Sequence, residues 1–301
     1  MEQRQELVFY DRYEQQLKPE KIYGEKPLRW AYQTTIGRFC LNAVIKRRWF
    51  SGLYGRWADC PCSAREIAPF IERFELDPDE FLDSPETLRT FNEFFHRALK
   101  PGARPIASEP KLASFPADGR HLLIENLDNE QIIYAKGQAL DLPSLTGDEG
   151  LARELEGGTA VISRLCPSDY HRFHFPLSGV PGEPRLINGS LFSVNPIALA
   201  RDLNYLWQNK RQLTLVSDSP AGSYLFLEIG ATNVGSIINT AEPGSPVTKG
   251  DEKGYFRFGG SMVMTFFKKG QFDAAPDLKE NSANGVELYA RMGDTMGSIL
   301  S

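Results

Sequence analysis

A serine that follows two glycines is the residue of this sequence best suited to attack its own backbone. Ser261 comes after Gly259 and Gly260, within the stretch 249–267. Glycine can adopt φ > 0 and has no Cβ to shield its carbonyl, and the alternating run 262–267 predicts a half-buried strand. We therefore interpret Ser261 as a nucleophile directed at the carbonyl of Gly260. The alternative is a plain Gly-Gly-Ser turn between two strands.

A serine hydroxyl needs a base to take its proton, and that base needs a group to orient it. Two of the four histidines, His171 and His174, lie three residues apart. In a strand they would point to opposite faces, so one could face Ser261 while the other faces a pocket. The candidate acid is Asp118 in the sequence PADG at 116–119. The same four residues are also typical of a turn.

Other kinds of site find less support in the sequence. Cys166, His171 and His174 are close in sequence, but their spacing fits no zinc pattern and no fourth ligand lies nearby, so we predict no metal. The glycine fingerprints of dinucleotide and phosphate sites are missing from the sequence. A net charge of −5 gives no reason to expect a nucleic-acid partner. Four irregularly spaced cysteines suggest reduced thiols of a cytosol-facing protein.

The second part of the chain has the periodicity of β-strands. After residue 104 the hydrophobic period changes to two, and Pro and Gly clusters separate the runs. We predict an α+β fold, with a helical N-terminal region (1–104) followed by a β-rich, mostly antiparallel catalytic body (105–301). The predicted strands, besides the one after Ser261, are 121–125, 131–135, 160–165, 190–194, 212–216, 224–229 and 255–258.

The N-terminal region has the periodicity of helices. Over 34–57, large apolar residues recur every four positions, and we expect Gly52 and Gly55 to divide this segment into two helices. Basic residues at 46–48 adjoin Trp49 and Phe50, which suits a helix at a membrane interface. The alternative is that the stripe packs on the catalytic body.

Two further helices are predicted at 63–74, capped by Ser63, and at 84–99, where His96 is interpreted as structural. The sequence has no apolar run of about 18 residues and begins with charged residues. We therefore expect no transmembrane helix and no signal peptide, so any membrane contact would be peripheral.

Seven sequence blocks carry a resemblance to a known family. In order, they are FNEFFHRALKPGARPI at 91–106, PADG at 116–119, AKG at 135–137, PSDYHRFHFP at 167–176, GSLFSVNP at 189–196, GATNVGSI at 230–237 and KGDEKGYFRFGGS at 249–261. Taken together, these blocks resemble the phosphatidylserine decarboxylases, a pyruvoyl-dependent family, and the likeness covers most of the chain. The self-cleavage motif of that family is Gly-Ser, usually followed by Thr or Ser; here Met262 follows, which leaves the Gly-Ser bond intact.

The resemblance implies a carboxy-lyase that converts phosphatidylserine into phosphatidylethanolamine and CO₂ in phospholipid biosynthesis. By motif, the charge relay for self-cleavage corresponds to Asp118, His174 and Ser261. Cleavage between Gly260 and Ser261 would convert the proenzyme into a large β chain (1–260) and a small α chain (261–301). Ser261 would become a covalent pyruvoyl group that forms a Schiff base with the substrate amine. His171 is the proposed proton donor for decarboxylation.

The resemblance also implies where the protein works and with what. It favours the interfacial interpretation of the segment 34–57, and hence a peripheral protein on the cytoplasmic side of the cell membrane. The resemblance leaves open whether the processed α and β chains assemble into a homodimer of such pairs. Three alternatives remain at this point: the same pyruvoyl chemistry on a soluble amino acid, a Ser-His-Asp hydrolase without self-cleavage, and a non-catalytic lipid-binding β-domain.

Overall fold

The computed structural model describes residues 7–128, 134, 139–231, 237–259 and 261–300. A π-helix at Leu41–Ile45 and 3₁₀ turns at Pro61–Glu66, Pro78–Glu80 and Pro85–Thr87 lie in the N-terminal part. The α-helices are α1 Glu25–Gln33, α2 Thr35–Cys40, α3 Arg48–Ala58, α4 Ile67–Phe74, α5 Phe91–Phe95, α6 Leu142–Thr146, α7 Glu149–Glu154, α8 Pro196–Leu199, α9 Tyr205–Gln208 and α10 Pro276–Ala283. The strands are β1 Val8–Asp11, β2 Gln16–Pro19, β3 Leu112–Ser114, β4 Gly119–Ile124, β5 Thr159–Leu165, β6 Arg172–His174, β7 Val180–Pro181, β8 Arg185–Ile187, β9 Arg211–Ser219, β10 Gly222–Gly230, β11 Ile237–Asn239, β12 Glu252–Phe256, β13 Ser261–Phe267, β14 Phe272–Ala274, β15 Glu287–Ala290 and β16 Thr295–Ile299.

A ten-stranded sheet forms the frame of the molecule. Its order is β2-β1-β15-β4-β5-β13-β10-β9-β7, with β8 also paired to β9. Among the described strands, only β1 and β15 pair in parallel. Two three-stranded sheets, β11-β12-β6 and β14-β16-β3, complete the β structure. Because the longer helices lie in the N-terminal part, the predicted α+β class is confirmed.

The strand β13 lies at the centre of this sheet and is buried on both faces. Val263 and Phe267 pack into one apolar cluster, which includes the rings of Phe173 and Phe256 from the smaller sheet. Met262, Met264 and Phe266 face a second cluster, formed with leucines of α6, α7 and α9. The prediction of a half-buried strand was therefore wrong. Helices cover the face of β13 that we expected to meet solvent. The continuous apolar character of the run 262–267, and not its alternation, was therefore the feature that indicated burial on both faces.

The strand predictions are mostly confirmed. Five strands overlap the predicted runs closely: β4, β5, β9, β10 and β13. A sixth strand, β12, begins three residues before its predicted start and overlaps the predicted run. The predicted strand 190–194 was wrong, because only Ser190 forms an isolated bridge there. The side chain of Asn209 instead binds both the N–H and the carbonyl of Phe192, at 2.7 and 2.8 Å. Most of the predicted strand 131–135 lies outside the described residues.

The helical region differs from the prediction in where its helices break. Gly52 and Gly55 both lie inside α3, and the break comes at Arg47, whose backbone is extended. A Cβ at either glycine would contact no atom within 4 Å, so the packing requires no helix break at either position. Ser63 does not cap α4; its Oγ donates to the carbonyl of Ala58 and accepts from the N–H of Phe91. The predicted helix 84–99 is reduced to a 3₁₀ turn and α5.

The first residues of the described chain belong to the main sheet. β1 pairs with β15, and β2 pairs with β1 at the sheet edge. Beyond β2, Glu20 accepts two hydrogen bonds from Arg164 on β5, both of 2.9 Å. The division of the chain at residue 104 stays a prediction, and the structure adds that the N-terminal segment completes the sheet of the body.

Candidate active site

Ser261 is the first residue of the central strand. It pairs with Leu165 on β5 and with Gly230 on β10. The residue two positions earlier, Gly259, has φ +139, a conformation that side-chain-bearing residues rarely adopt. The Ser261 hydroxyl is buried, and no described residue forms a hydrogen bond with it. A buried hydroxyl without a partner costs about 1–3 kcal/mol, so its retention suits a group that is held ready for a reaction.

His171 lies at the end of the loop that leaves β5. Its imidazole is fully buried, and its Nδ1 lies 3.0 Å from the carbonyl oxygen of Asp169. A carbonyl can only accept, so Nδ1 carries the proton and Nε2 keeps its lone pair. Burial lowers the pKa of His171 to about 3, and the positive charge of Arg97 acts in the same direction. Over the described part of the chain Nε2 has no hydrogen-bond partner, so His171 is a neutral imidazole with an unused acceptor nitrogen.

His174 has the same tautomer in a different setting. Its Nδ1 lies 2.9 Å from the carbonyl oxygen of Gly250, and its Nε2 lies 3.3 Å from the hydroxyl of Tyr170. Its backbone N–H donates to the carbonyl of Pro116 at 2.7 Å, which places it beside the turn that holds Asp118. Burial lowers the pKa of His174, while the Gly250 carbonyl and the charges of Glu252 and Asp118 oppose the shift.

Asp118 is buried and strongly hydrogen-bonded. It accepts bonds of 2.7 to 3.0 Å from the guanidinium of Arg104 and one of 2.8 Å from the N–H of Met292. Within the described residues, no hydrogen bond joins Asp118 to His174. It acts on that imidazole through its charge instead. The proposed relay of Asp118, His174 and Ser261 therefore stays a prediction.

One aromatic side chain links the histidine loop to the segment before Ser261. The ring of Phe95 lies 3.8 Å from the imidazole of His171 and 4.8 Å from the ring of Phe258, measured between centroids. Phe258 is three residues before Ser261. Two of the seven buried polar atoms that lack partners in the described part of the chain, His171 Nε2 and Ser261 Oγ, thus belong to segments that pack on the same ring.

A buried ion pair holds the histidine loop in place. Arg120 Nη1 lies 2.7 and 2.6 Å from the two carboxylate oxygens of Asp169. One of these oxygens accepts the N–H of Cys166 at 2.7 Å, which closes the loop on itself. The backbone carbonyl of Asp169 in turn accepts a hydrogen bond from Nδ1 of His171. In the ranges that the structure describes, no cluster of three metal-binding side chains occurs near this loop or elsewhere.

Sequence reasoning missed four residues of this site. Arg97 and Arg104 lie in the block 91–106, and Asp169 and Tyr170 lie in the block 167–176. Both blocks carried the family resemblance, and this was the only signal that pointed to these side chains. Arg97, Arg104 and Asp169 make contacts with other segments of the chain, so no local pattern could have assigned them. Tyr170 lies only four residues before its partner His174, but this spacing alone does not predict a hydrogen bond.

Comparisons with known proteins identify the family to which the chain is similar. The family model described as phosphatidylserine decarboxylase matches residues 91–298. A protein of Clostridium kluyveri is 40% identical over 291 residues, covering 97% of this chain and 98% of its own length. A protein of Desulfitobacterium hafniense is 41% identical over 97% of this chain and 98% of its own length. A protein of Chlamydia muridarum is 39% identical over 99% of both chains. All three bear the name phosphatidylserine decarboxylase proenzyme.

The buried histidines predict a loss of stability in acid. Burial lowers the pKa of His121 to about 3, as it does for His171. Each imidazole contributes its full stabilisation of the fold above the pKa of about 6.5 that it has in the unfolded chain. This contribution is lost as the pH falls towards 3. Each contributes a slope of about 1.4 kcal/mol per pH unit in that window. We expect His121→Gln to reduce the slope of the unfolding free energy by about this amount, measured in urea between pH 6 and 4.

The slope, and not the stability itself, is the decisive quantity in this experiment. His121→Gln also disturbs hydrogen bonds to Ser163 and the carbonyl of Ala290, so its stability at pH 7 will fall. Ser163→Ala removes one of these bonds without removing a titrating group, and it should keep the wild-type slope. Equal slopes for His121→Gln and the wild type would contradict the assignment of a neutral buried imidazole.

Proposed function

The chain belongs to the phosphatidylserine decarboxylase family, and we propose that it is a proenzyme that cuts itself and then decarboxylates phosphatidylserine to phosphatidylethanolamine. One observation carries the proposal: at the head of a central strand, the hydroxyl of Ser261 is buried and has no hydrogen-bond partner among the described residues. The hydroxyls of Thr214 and Thr265 are also buried without described partners, and Ser261 differs from them because it follows two glycines. The Ser261 hydroxyl is free to attack the carbonyl before it.

The first step of maturation moves the acyl group of Gly260 from nitrogen to oxygen. Ser261 Oγ gives its proton to a neutral imidazole and bonds to the Gly260 carbonyl carbon. The C–N bond then breaks, and the nitrogen of Ser261 takes the proton. Loss of the Cα proton breaks the Cβ–O bond of the resulting ester, so the large chain ends in a carboxylate at Gly260. The dehydroalanine left on the small chain tautomerises and takes up water, which releases ammonia and leaves a pyruvoyl group.

The base for this transfer is assigned to His174. Its Nε2 has a lone pair, and the nearby charge of Asp118 stabilises the imidazolium that forms. A positioned base contributes about 10²–10⁴ in rate. Met262 follows Ser261, so the hydroxyl common at that position in the family takes no part in this chain.

His171 is assigned to proton transfer on the substrate. The pyruvoyl group, once formed, supplies an electron sink for the carbon that loses CO₂. His171 is neutral and its Nε2 is free, so it must accept a proton before it can donate one. The ammonium of the substrate has to lose a proton to react, and we assign His171 to take it and later return it to carbon.

Self-cleavage is the feature that separates this function from its rivals. We expect the purified wild-type chain to give two polypeptides on a denaturing gel, residues 1–260 and residues 261–301. The small one should resist Edman sequencing and gain hydrogen on borohydride reduction, because a ketone replaces its amino group. Ser261→Ala should stay a single chain. A single active wild-type chain whose Ser261 reacts with a phosphonate would instead establish a serine hydrolase.

The two histidines should differ in their effects. We expect His174→Ala to slow self-cleavage by about 10²–10⁴, because the base is lost. His171→Ala should be cut normally and yet release no CO₂ from phosphatidylserine. Intact mass measures the first effect and CO₂ release measures the second. If His171→Ala also blocks cutting, the division of labour between the two histidines is wrong.

An exposed apolar surface is available for contact with the lipid. Ile36, Phe39, Trp49 and Leu53, which we call the apolar surface, are 71, 74, 57 and 55% exposed. Other members of the same stripe, such as Trp57, pack on the body. Exposed Arg47 and Arg56 lie nearby in the chain. No helix of the described residues is long and apolar enough to cross a membrane. We propose that this surface docks peripherally on the cytoplasmic face of an anionic bilayer.

The docking proposal predicts a selective loss of vesicle binding. Burying one such side chain contributes about 1.5–3 kcal/mol. The combined variant Phe39→Ser, Trp49→Ser and Leu53→Ser should therefore bind vesicles of phosphatidylserine and phosphatidylcholine at least a hundredfold more weakly in sedimentation assays. Self-cleavage is intramolecular and should still complete. Leu186→Ser with Leu215→Ser, which changes two exposed residues of β8 and β9, should bind as the wild type does. Equal losses in both variants would contradict the proposal.

A further inference from the structure

Arg97 is a buried cation that forms no salt bridge with a described carboxylate. The charges of Asp118 and Asp169 act on it, but these carboxylates are paired with other arginines. It follows α5, and its guanidinium lies 4.6 Å from the ring centre of Phe81 and 4.9 Å from that of Phe94. Nη1 donates to the carbonyl of Phe94 at 3.3 Å and Nη2 to that of Ser168 at 3.4 Å. Within the described residues Nε has no partner, so two of the five N–H groups of the guanidinium are used, both in long bonds.

The other buried arginines show what a satisfied guanidinium looks like in this protein. Arg104, Arg120 and Arg164 each face at least one carboxylate. Arg211 has no carboxylate, but it donates to four backbone carbonyls at 2.6 to 3.1 Å. Over the described part of the chain, Arg97 has no carboxylate within 4.0 Å and no such set of carbonyls. An unpaired buried charge is costly, so Arg97 has unused capacity for an anion.

The position of Arg97 connects it to the proposed chemistry. Ser168, whose carbonyl it touches, belongs to the loop that carries His171. Its charge contributes to the lowered pKa of His171, so the two groups are within electrostatic reach. Phe95, two residues before Arg97, contacts the imidazole directly. Burial lowers the pKa of Arg97 to about 10, which leaves it charged at neutral pH.

We propose that Arg97 binds the phosphodiester of the substrate. This inference rests on the proposed function, because the substrate class comes from there. Phosphatidylserine offers two anions near its amine, the carboxylate and the phosphodiester. A cation held on the carboxylate would stabilise the charge that must leave as CO₂, and so would favour the ground state. The phosphodiester keeps its charge throughout the reaction, and it supplies the single negative charge that Arg97 lacks.

The variant Arg97→Met separates binding from structure. Methionine has a similar length and is apolar, so it can lie between the two phenylalanine rings. We expect normal self-cleavage, an unchanged or higher Tm because an unpaired buried charge is removed, and at least a tenfold higher KM for dioctanoyl phosphatidylserine. The value of kcat should change less than KM. Arg211→Met is the matched control and should lower Tm strongly, because it removes the donors of four backbone carbonyls.

Two soluble probes identify the anion on the processed wild-type protein. Glycerophosphoethanolamine has the amine and the phosphodiester, whereas L-serine has the amine and the carboxylate. Arg97→Met should weaken inhibition by glycerophosphoethanolamine at least tenfold and leave inhibition by L-serine unchanged. The reverse pattern, or no change for either probe, overturns the proposal. A large fall in Tm with failed self-cleavage also overturns it, because Arg97 would then be structural.

Calorimetric binding of glycerophosphoethanolamine keeps the two proposals distinguishable. If the wild type binds this probe and Arg97→Lys binds it more weakly, the phosphodiester site stands whether or not CO₂ is released. Absence of binding to the wild type removes the site. A wild type that binds the probe but does not decarboxylate phosphatidylserine removes the proposed function alone.

Discussion

The central constraint of this molecule is that Ser261 begins a strand that is paired and buried along its whole length. All seven residues of β13 are registered with β5 on one side and with β10 on the other, and all are buried. This fixes the backbone nitrogen of Ser261 on one side of the proposed scissile bond. Before it, Gly259 has a positive φ, a conformation that glycine adopts without strain. The proposed attack of Ser261 on its own chain depends on this combination of a fixed strand and a glycine turn.

Buried ion pairs transmit this rigidity to the surrounding loops. Arg104 holds Asp118, Arg120 holds Asp169, and Arg164 bridges Glu20 and Glu287. Each pair joins segments that are remote in sequence. Removing one partner would leave a buried charge, which is strongly destabilising, so these pairs fix geometry even where they add little net stability. The orientation of His171 depends on the pair of Arg120 and Asp169. The carboxylate of Asp169 binds Arg120, and its backbone carbonyl accepts a hydrogen bond from the imidazole of His171.

Local pattern predicted most strands of the body, because alternation is a local property, and the assignment of Ser261 as nucleophile stays a prediction. Local pattern failed where a distant side chain decides the backbone conformation. Asn209 satisfies the backbone of Phe192 and replaces the strand expected at 190–194. The contact between Asp118 and Arg104 was not predicted either, because no spacing rule identifies it. The surroundings of Arg97 likewise emerge only when the loop 166–171 and α5 are brought together. Strands as short as β1 and β2 carry too little alternation to be recognised.

The position of β15 between β1 and β4 joins two segments that are synthesised at different times. Translation delivers β1 well before β13 and β15, so the central strand can pair with its neighbours only after these later segments have been made. Under the proposed mechanism, self-cleavage would wait for that stage, and the chain would exist until then as an uncut precursor.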